Sequence, residues 1–181
     1  MVNTIQNLIA GIIGESTAGA TYAAFAAQAA RDGFPAIQKM FEATSKAESI
    51  HAANHARVLK QLGGQLPKFE IKIEVGTTAE NLAHAEAGEI YEFSEMYPAF
   101  LKAAAEEGVK AATLTFTQAC EVEKIHAALY RKAIDALAAG TAASLPKKYF
   151  VCPVCGDTFA DGDVPEKCPV CGVKSATFLV F

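Results

Sequence analysis

The chain has 181 residues, 51% of them hydrophobic, with no tryptophan and a formal net charge of −4. This is the composition of a globular protein with a packed core, and its acidic balance argues against a nucleic-acid partner. No segment reaches the roughly 18 consecutive apolar residues of a membrane span. The opening MVNTIQNLIAGIIGES lacks the basic region of a signal peptide and spaces its apolar residues at helical intervals. It is expected to be the first helix of a cytoplasmic protein.

Residues 1–139 read as helix, with breaks at Gly33-Phe34-Pro35, at Gly63-Gly64 and near Gly108. Four helices are expected, over about 4–32, 35–62, 77–107 and 109–139. The stretch 63–77 is polar, β-branched and proline-containing, too long for a tight turn. Thr77-Thr78-Ala79-Glu80 then has the pattern of a capping box. One long connection among short ones fits a ferritin-like bundle with a single crossover. Pro98 falls inside the third helix and is expected to kink it.

Each helix turns about 100° per residue, so an apolar stripe marks its buried side. In the first helix the stripe runs Leu8, Ile12, Gly19, Tyr22 and Ala26, with Glu15 in its middle. In the second, Glu48, His51 and His55 project from the same side as Met40, Thr44, Val58 and Leu62, while Glu42 points away. In the fourth, Glu123 and His126 share the stripe of Ala119, Tyr130 and Leu137, and Glu121 does not. The third carries Glu86, Glu89, Glu92 and Glu95, and only Glu89 lies near the centre of its buried direction. Periodicity does not choose between Glu86 and Glu92 as a second inward acid.

Every helix therefore sends a carboxylate inward, with too few inward cations to neutralise them. Unpaired buried carboxylates are costly and repel one another. Metal ions would resolve this. Glu48-Ser-Ile-His51 and Glu123-Lys-Ile-His126 are two ExxH motifs, and the three-residue spacing puts acid and imidazole on one helix face. One ExxH arises readily by chance; two, with glutamates from the remaining helices, form the di-iron carboxylate pattern. Oxygen ligands with some imidazole suit iron or manganese. His55 and His84 read as ordinary polar residues.

A linker of small residues, 140–147, precedes a tail of residues 148–181. So short a tail cannot hold itself together by core burial alone and is expected to need a structural metal. It supplies one. Cys152-Pro-Val-Cys155-Gly156 and Cys168-Pro-Val-Cys171-Gly172 are near-identical knuckles that can close a four-thiolate site on one iron or zinc ion. The glycine after each pair permits a turn aiming backbone N–H groups at sulfur. Tyr149, Phe159 and Phe178 are expected to form the module's small core. From Lys147 on, four lysines balance four acids, so the whole −4 belongs to the bundle. Cys120, alone in a helix, reads as a small buried apolar residue.

Over essentially its full length the sequence resembles rubrerythrins. The matching stretches are Gly14-Glu15-Ser16, the two ExxH motifs, Gly88-Glu-Ile-Tyr-Glu-Phe-Ser-Glu-Met-Tyr97-Pro98, and the paired CPxCG knuckles. The resemblance implies a mainly α fold: a ferritin-like bundle at 1–139 and a rubredoxin-like domain at 148–181. It implies a di-iron set of Glu15, Glu48, His51, Glu89, Glu92, Glu123 and His126, selecting Glu92 over Glu86, and a single iron on Cys152, Cys155, Cys168 and Cys171. Two ferrous ions would nearly balance the five carboxylates. It further implies reduction of hydrogen peroxide to water, with electrons returned through the four-thiolate iron from an upstream rubredoxin or flavoprotein reductase. Tyr22 and Tyr97 are implied beside the centre, as orienting groups or proton donors. The tail follows a linker at one end of long helices, which favours an oligomer, and the resemblance implies a head-to-tail homodimer that brings the two iron sites together. Two rival readings are an iron-oxidising, ferritin-like protein and a zinc ribbon on a structural bundle. The appended cysteine module argues against the first, and the hydrophilic bundle centre argues against the second.

Overall fold

The computed structural model describes residues 2–181. Helix α1 spans Val2–Arg31 and α2 spans Pro35–Gln61. Between them Gly33 takes φ +83°, a left-handed conformation that ends α1, and Pro35 opens α2 with the φ a first turn needs. The long connection follows. Helix α3, Thr78–Tyr91, begins at a complete capping box: Glu80 N–H donates to Thr77 Oγ1 at 3.3 Å, and Thr77 N–H donates to Glu80 Oε2 at 2.8 Å.

The third helix departs from a simple proline kink. After α3 the backbone widens into a π turn, Glu92–Met96, and continues as α4, Tyr97–Glu106, with Pro98 in the first turn of α4. The Tyr97 N–H reaches back five residues to the Glu92 carbonyl. Pro98 has no N–H to give and its ring crowds the carbonyl four residues back. A wider turn ahead of it absorbs both problems without breaking the axis. Helix α5, Lys110–Ala138, completes the bundle.

Two apolar clusters fill the interior. One gathers Tyr22, Phe25, Phe41, Met40 and Tyr130; the other gathers Leu8, Ile12, Val58, Tyr97 and Phe116. Their aromatic rings meet edge-on or tilted, as with Phe25 and Phe41 at 5.5 Å. Each such side chain contributes about 1.5–3 kcal/mol by burial. The inward acids and histidines occupy the band between the clusters, so apolar packing on both sides fixes the helices around them. Among the described residues, no helix is long and apolar enough to cross a membrane.

The tail forms a three-stranded antiparallel sheet in the order β2-β1-β3, from β1 Tyr149–Val151, β2 Thr158–Ala160 and β3 Leu179–Val180. The central strand alternates its sides. Phe150 faces the module with Phe159 and Phe178, whose rings stack at 5.4 Å. Tyr149 does not join that core as expected: with Val151 and Ala160 it enters the first cluster of the bundle. Ala142 and Leu145 of the linker pack there too. The module is therefore docked on its own bundle along α2 and α5.

Candidate metal centre

Glu15 lies in the middle of α1, Glu48 and His51 in α2, Glu89 in α3, and Glu123 and His126 in α5. All six are buried. Ligand atoms of Glu15, Glu48, His51 and Glu123 lie within 4.8 Å of one another, as do those of Glu48, Glu89, Glu123 and His126. Glu48 and Glu123 belong to both groups, so these two carboxylates could serve both of two neighbouring ions. His51 Nδ1 sits 2.9 Å from Glu48 Oε2 and 3.0 Å from Glu123 Oε1. His126 Nδ1 sits 3.0 Å from Glu48 Oε1 and 3.1 Å from Glu123 Oε2. Despite these distances both Nδ1 atoms and the oxygens of Glu48 and Glu123 have no hydrogen-bond partner of acceptable geometry. Their lone pairs converge on common points rather than on each other. A ring of buried, convergent and unpartnered donors fits bound cations.

The outer nitrogens explain why Nδ1 faces inward. His51 Nε2 is 2.9 Å from the Cys155 carbonyl oxygen. A carbonyl only accepts, so Nε2 carries the proton and a neutral ring keeps its lone pair on Nδ1. His126 Nε2 is 3.0 Å from Thr158 Oγ1, whose own hydrogen goes to the Gly156 carbonyl at 2.9 Å. That oxygen must accept, and His126 is fixed in the same tautomer. The cysteine module thus sets both imidazoles in the form a metal requires.

Crowded burial governs the acids. Burial first, and then Glu123, push Glu15 up to about 8 in the absence of a cation. Burial and neighbouring carboxylates drive Glu89 and Glu92 well above the usual range. Burial also opposes charge on Glu48, but His126 and His51 outweigh it and hold that carboxyl down at about 2. Glu92, on the π turn, feels Glu15, Glu123 and Glu48, yet its carboxylate stands outside both four-residue groups. Glu86 has another partner: Arg131 engages both its oxygens, Nε to Oε1 at 2.7 Å and Nη2 to Oε2.

Both tyrosines reach the centre. Tyr22 donates to Glu89 Oε1 at 2.8 Å, and Tyr97 donates to Glu15 Oε1. Tyr97 leads to a residue whose role the sequence conceals. His55, fully buried, has Nε2 3.0 Å from the Tyr97 oxygen and Nδ1 2.9 Å from Thr115 Oγ1. Since Tyr97 gives its proton to a carboxylate, its oxygen accepts from His55, which in turn accepts from Thr115. Burial and the nearby His51 hold His55 down at about 3, so the ring is neutral and the chain runs one way, Thr115 to His55 to Tyr97 to Glu15. No spacing rule reveals Thr115 or Thr158 as part of such a chain.

In the tail, Cys152, Cys155, Cys168 and Cys171 place their sulfurs within 4.8 Å of one another. Gly156 and Gly172 take φ +85° and +78° and donate to the Cys152 and Cys168 carbonyls at 3.0 and 2.8 Å. The backbone N–H groups of Val154 and Cys155 point at Cys152 sulfur, and those of Val170 and Cys171 at Cys168 sulfur. Hydrogen bonds with Cys155 draw Cys152 down to about 5, while burial pushes Cys168 up to about 12. Four clustered thiolates, those of Cys152, Cys155 and Cys168 buried and that of Cys171 partly so, therefore need a cation to coexist. Asp157, also buried, accepts from Cys168 sulfur at 3.4 Å. Around the docked face Asn54 donates to the Val154 carbonyl at 2.8 Å. The expected reason for a head-to-tail dimer was the separation of the two sites. Within the chain they already touch, so proximity does not call for a second copy.

A helical bundle with a paired carboxylate–imidazole centre, joined to a four-thiolate knuckle module, defines a ferritin-like protein with a rubredoxin-like domain. The family model described as "Rubrerythrin" matches residues 6–134, and "Rubrerythrin, rubredoxin-like domain" matches 150–178. The chain belongs to the rubrerythrin family, and iron is that family's metal. It is 36% identical to nigerythrin of Nitratidesulfovibrio vulgaris strain Hildenborough, over 99% of this chain and 87% of the relative. It is also 36% identical to rubrerythrin-2 of Clostridium acetobutylicum, over 93% of this chain and 91% of that one. The structure titled "Fully reduced state of nigerythrin (all ferrous)" superposes with a TM-score of 0.87 over 98% of this chain and 86% of its own.

Proposed function

We propose that the chain is a cytoplasmic peroxidase of oxidative-stress defence that reduces hydrogen peroxide to water. The iron pair would be held by Glu15, Glu48, His51, Glu89, Glu92, Glu123 and His126. A third iron on Cys152, Cys155, Cys168 and Cys171 would receive electrons from a rubredoxin or flavoprotein reductase. Bound at the bundle centre, two ferrous ions would supply the two electrons that cleavage of one O–O bond consumes.

The protein's own groups supply the rest. Reduction of one peroxide to two waters also takes up two protons. Tyr97 holds one against Glu15, with His55 and Thr115 behind it to replace it. Tyr22 holds another against Glu89. The apolar clusters on either side keep bulk water from the carboxylates. The observation that carries the relay is the hydrogen bond from His51 to the Cys155 carbonyl, which links a residue of each metal set directly. This relay works within one chain. A homodimer belongs to the same proposal, although this contact does not require a second copy.

Metal analysis with anaerobic peroxide titration of the reduced protein tests the proposal. Three irons per chain, and reoxidation faster by peroxide than by oxygen, are expected. Faster reoxidation by oxygen with mineral accumulation would instead favour an iron-storage role. Zinc in the four-thiolate site of protein made with ample iron would end the relay.

A further inference from the structure

Tyr22 and Tyr97 each donate to a carboxylate of the bundle centre, yet they are wired differently. The Tyr97 oxygen also accepts from His55 Nε2 at 3.0 Å. A donor on its oxygen draws electron density from the phenol and stands ready to replace its proton, which suits an acid. The Tyr22 oxygen donates to Glu89 Oε1 at 2.8 Å and, among the described residues, accepts from no group. Its ring lies in a cage of three others: Tyr130 edge-on at 5.6 Å, Phe41 at 6.1 Å and Phe25 at 6.2 Å. All four rings are buried. Tyr130 has no part in the peroxide reading. Its hydroxyl donates to Thr44 Oγ1 at 2.6 Å, and the Thr44 hydrogen goes to the Met40 carbonyl at 3.2 Å. Thr44 is a poor proton acceptor, so Tyr130 keeps its proton. A phenol gives up an electron readily only when its proton has somewhere to go. Of Tyr22, Tyr97 and Tyr130, only Tyr22 combines a carboxylate acceptor with an oxygen that no donor engages.

We propose that Tyr22 is a one-electron donor that completes the reduction of peroxide when the bundle centre holds only one electron. This rests on the peroxide reading. A single iron on four thiolates passes electrons singly, so the centre is half-reduced between two arrivals. Peroxide arriving then finds one electron where cleavage of its O–O bond to two waters takes two. One electron and one proton alone would give water and a hydroxyl radical, which attacks any side chain it meets. Tyr22 supplies what is missing. Its O–H bond breaks, the electron leaves toward the centre and the proton crosses to Glu89 Oε1. Hydrogen peroxide, one electron from iron, one proton and the Tyr22 hydrogen atom thus yield two waters and the Tyr22 phenoxyl radical. The separate proton is the one Tyr97 holds. The next electron through the four-thiolate site, with one proton, restores the phenol. The cage of Phe25, Phe41 and Tyr130 walls the oxidised ring off from water until then. Tyr130 does not take the radical over, because its own proton has no acceptor.

Electron paramagnetic resonance of the full-length, iron-loaded protein tests this. The protein is titrated anaerobically with dithionite to the half-reduced iron pair, with the four-thiolate iron ferric by its visible absorption. It is then mixed with one equivalent of hydrogen peroxide and frozen within milliseconds. A second preparation with zinc in the four-thiolate site removes that iron as a competing electron source. Both are expected to give an organic-radical signal whose hyperfine structure collapses when the tyrosines are ring-deuterated. Tyr22→Phe keeps the ring and its packing, loses the signal, and accumulates oxidised side chains around the centre by mass spectrometry. Tyr130→Phe keeps the signal, and Tyr97→Phe forms it more slowly. Far-UV circular dichroism and the half-reduced iron signal verify that each variant folds and loads. A silent wild type overturns the proposal, as does a signal that survives in Tyr22→Phe. Fully reduced wild type separates this from the reading beneath it. Reoxidation by peroxide without a radical supports that reading whatever the half-reduced protein does, and no reoxidation ends both.

Discussion

His51 Nε2 donates to the backbone carbonyl oxygen of Cys155 across 2.9 Å, joining the bundle centre to the cysteine module. Gly156 makes that approach possible. A Cβ there would lie 2.6 Å from His51 Nε2 and 3.2 Å from the Ala47 carbonyl, at a φ of +85° that side chains rarely adopt. Gly156→Ala should therefore push the module off α2, with about 1–2 kcal/mol of backbone strain. Donor-driven peroxide turnover should fall about 10- to 100-fold, while single-turnover oxidation of chemically reduced protein changes far less. Steady-state assays with a protein donor, set beside stopped-flow traces, separate the two. Equal losses in both would show that the contact serves the bundle centre alone.

Tyr97 holds its proton against Glu15 and accepts one from His55. Tyr97→Phe removes the last donor of the chain and leaves the buried His55 N–H without an acceptor, costing about 1–3 kcal/mol of stability. If the phenol delivers a proton during O–O cleavage, the single-turnover rate with peroxide should drop about 100-fold. An unchanged rate in a destabilised protein would limit Tyr97 to packing and orientation.

Removal of iron should invert the pH dependence of stability. In the metal-free protein Glu15 rises to about 8 and His126 to about 9, with Glu89, Glu92 and His51 also raised. Groups with a raised folded pKa hold protons that the unfolded chain has released. Their contribution is complete below the ordinary values of 4.5 for Glu and 6.5 for His and is lost as pH climbs through the folded ones. Chelated protein should thus lose melting temperature steadily between pH 5 and 9, whereas iron-loaded protein should not. Parallel curves for the two forms would contradict the assignment of these acids to the metals.

The entry to α3 gives a fourth expectation. Thr77 caps the helix, and Asp32 at the end of α1 accepts from Thr78 N–H at 3.0 Å and from its hydroxyl at 2.7 Å. Thr77→Ala should cost about 1 kcal/mol in urea unfolding. Hydrogen bonds to Thr78 lower Asp32, and those to Thr77 lower Glu80. Their stabilisation is present above the ordinary values of 3.8 and 4.5 and fades as pH falls below them, the reverse of the metal-free centre. Urea midpoints of Asp32→Asn between pH 7 and about 3 should converge on wild type at the acid end.

Much of this protein was legible in the linear chain because its signals are local. The caps, the Gly33-Phe34-Pro35 break and the CPxCG spacing each act within a few residues. The two ExxH motifs follow from helical periodicity, since three residues return the chain to one face. The choice between Glu86 and Glu92 was not legible. The π turn at Glu92–Met96 shifts the phase of everything beyond it, so a steady period of 3.6 residues gives the wrong facing for residues after Tyr91. Arg131, distant in sequence, occupies Glu86 and removes it from the centre.

By itself the sequence determined two modules, one built around inward carboxylates and imidazoles and one around four thiolates, because residue type and spacing fix which groups share a face. Only the tertiary structure decided that the modules meet within one chain. It also decided that Thr158 and the Cys155 carbonyl set the histidine tautomers, that His55 stands behind Tyr97, and that Tyr149 belongs to the bundle. These are contacts between residues far apart in sequence. They depend on how one surface seats on another, and no local periodicity encodes that.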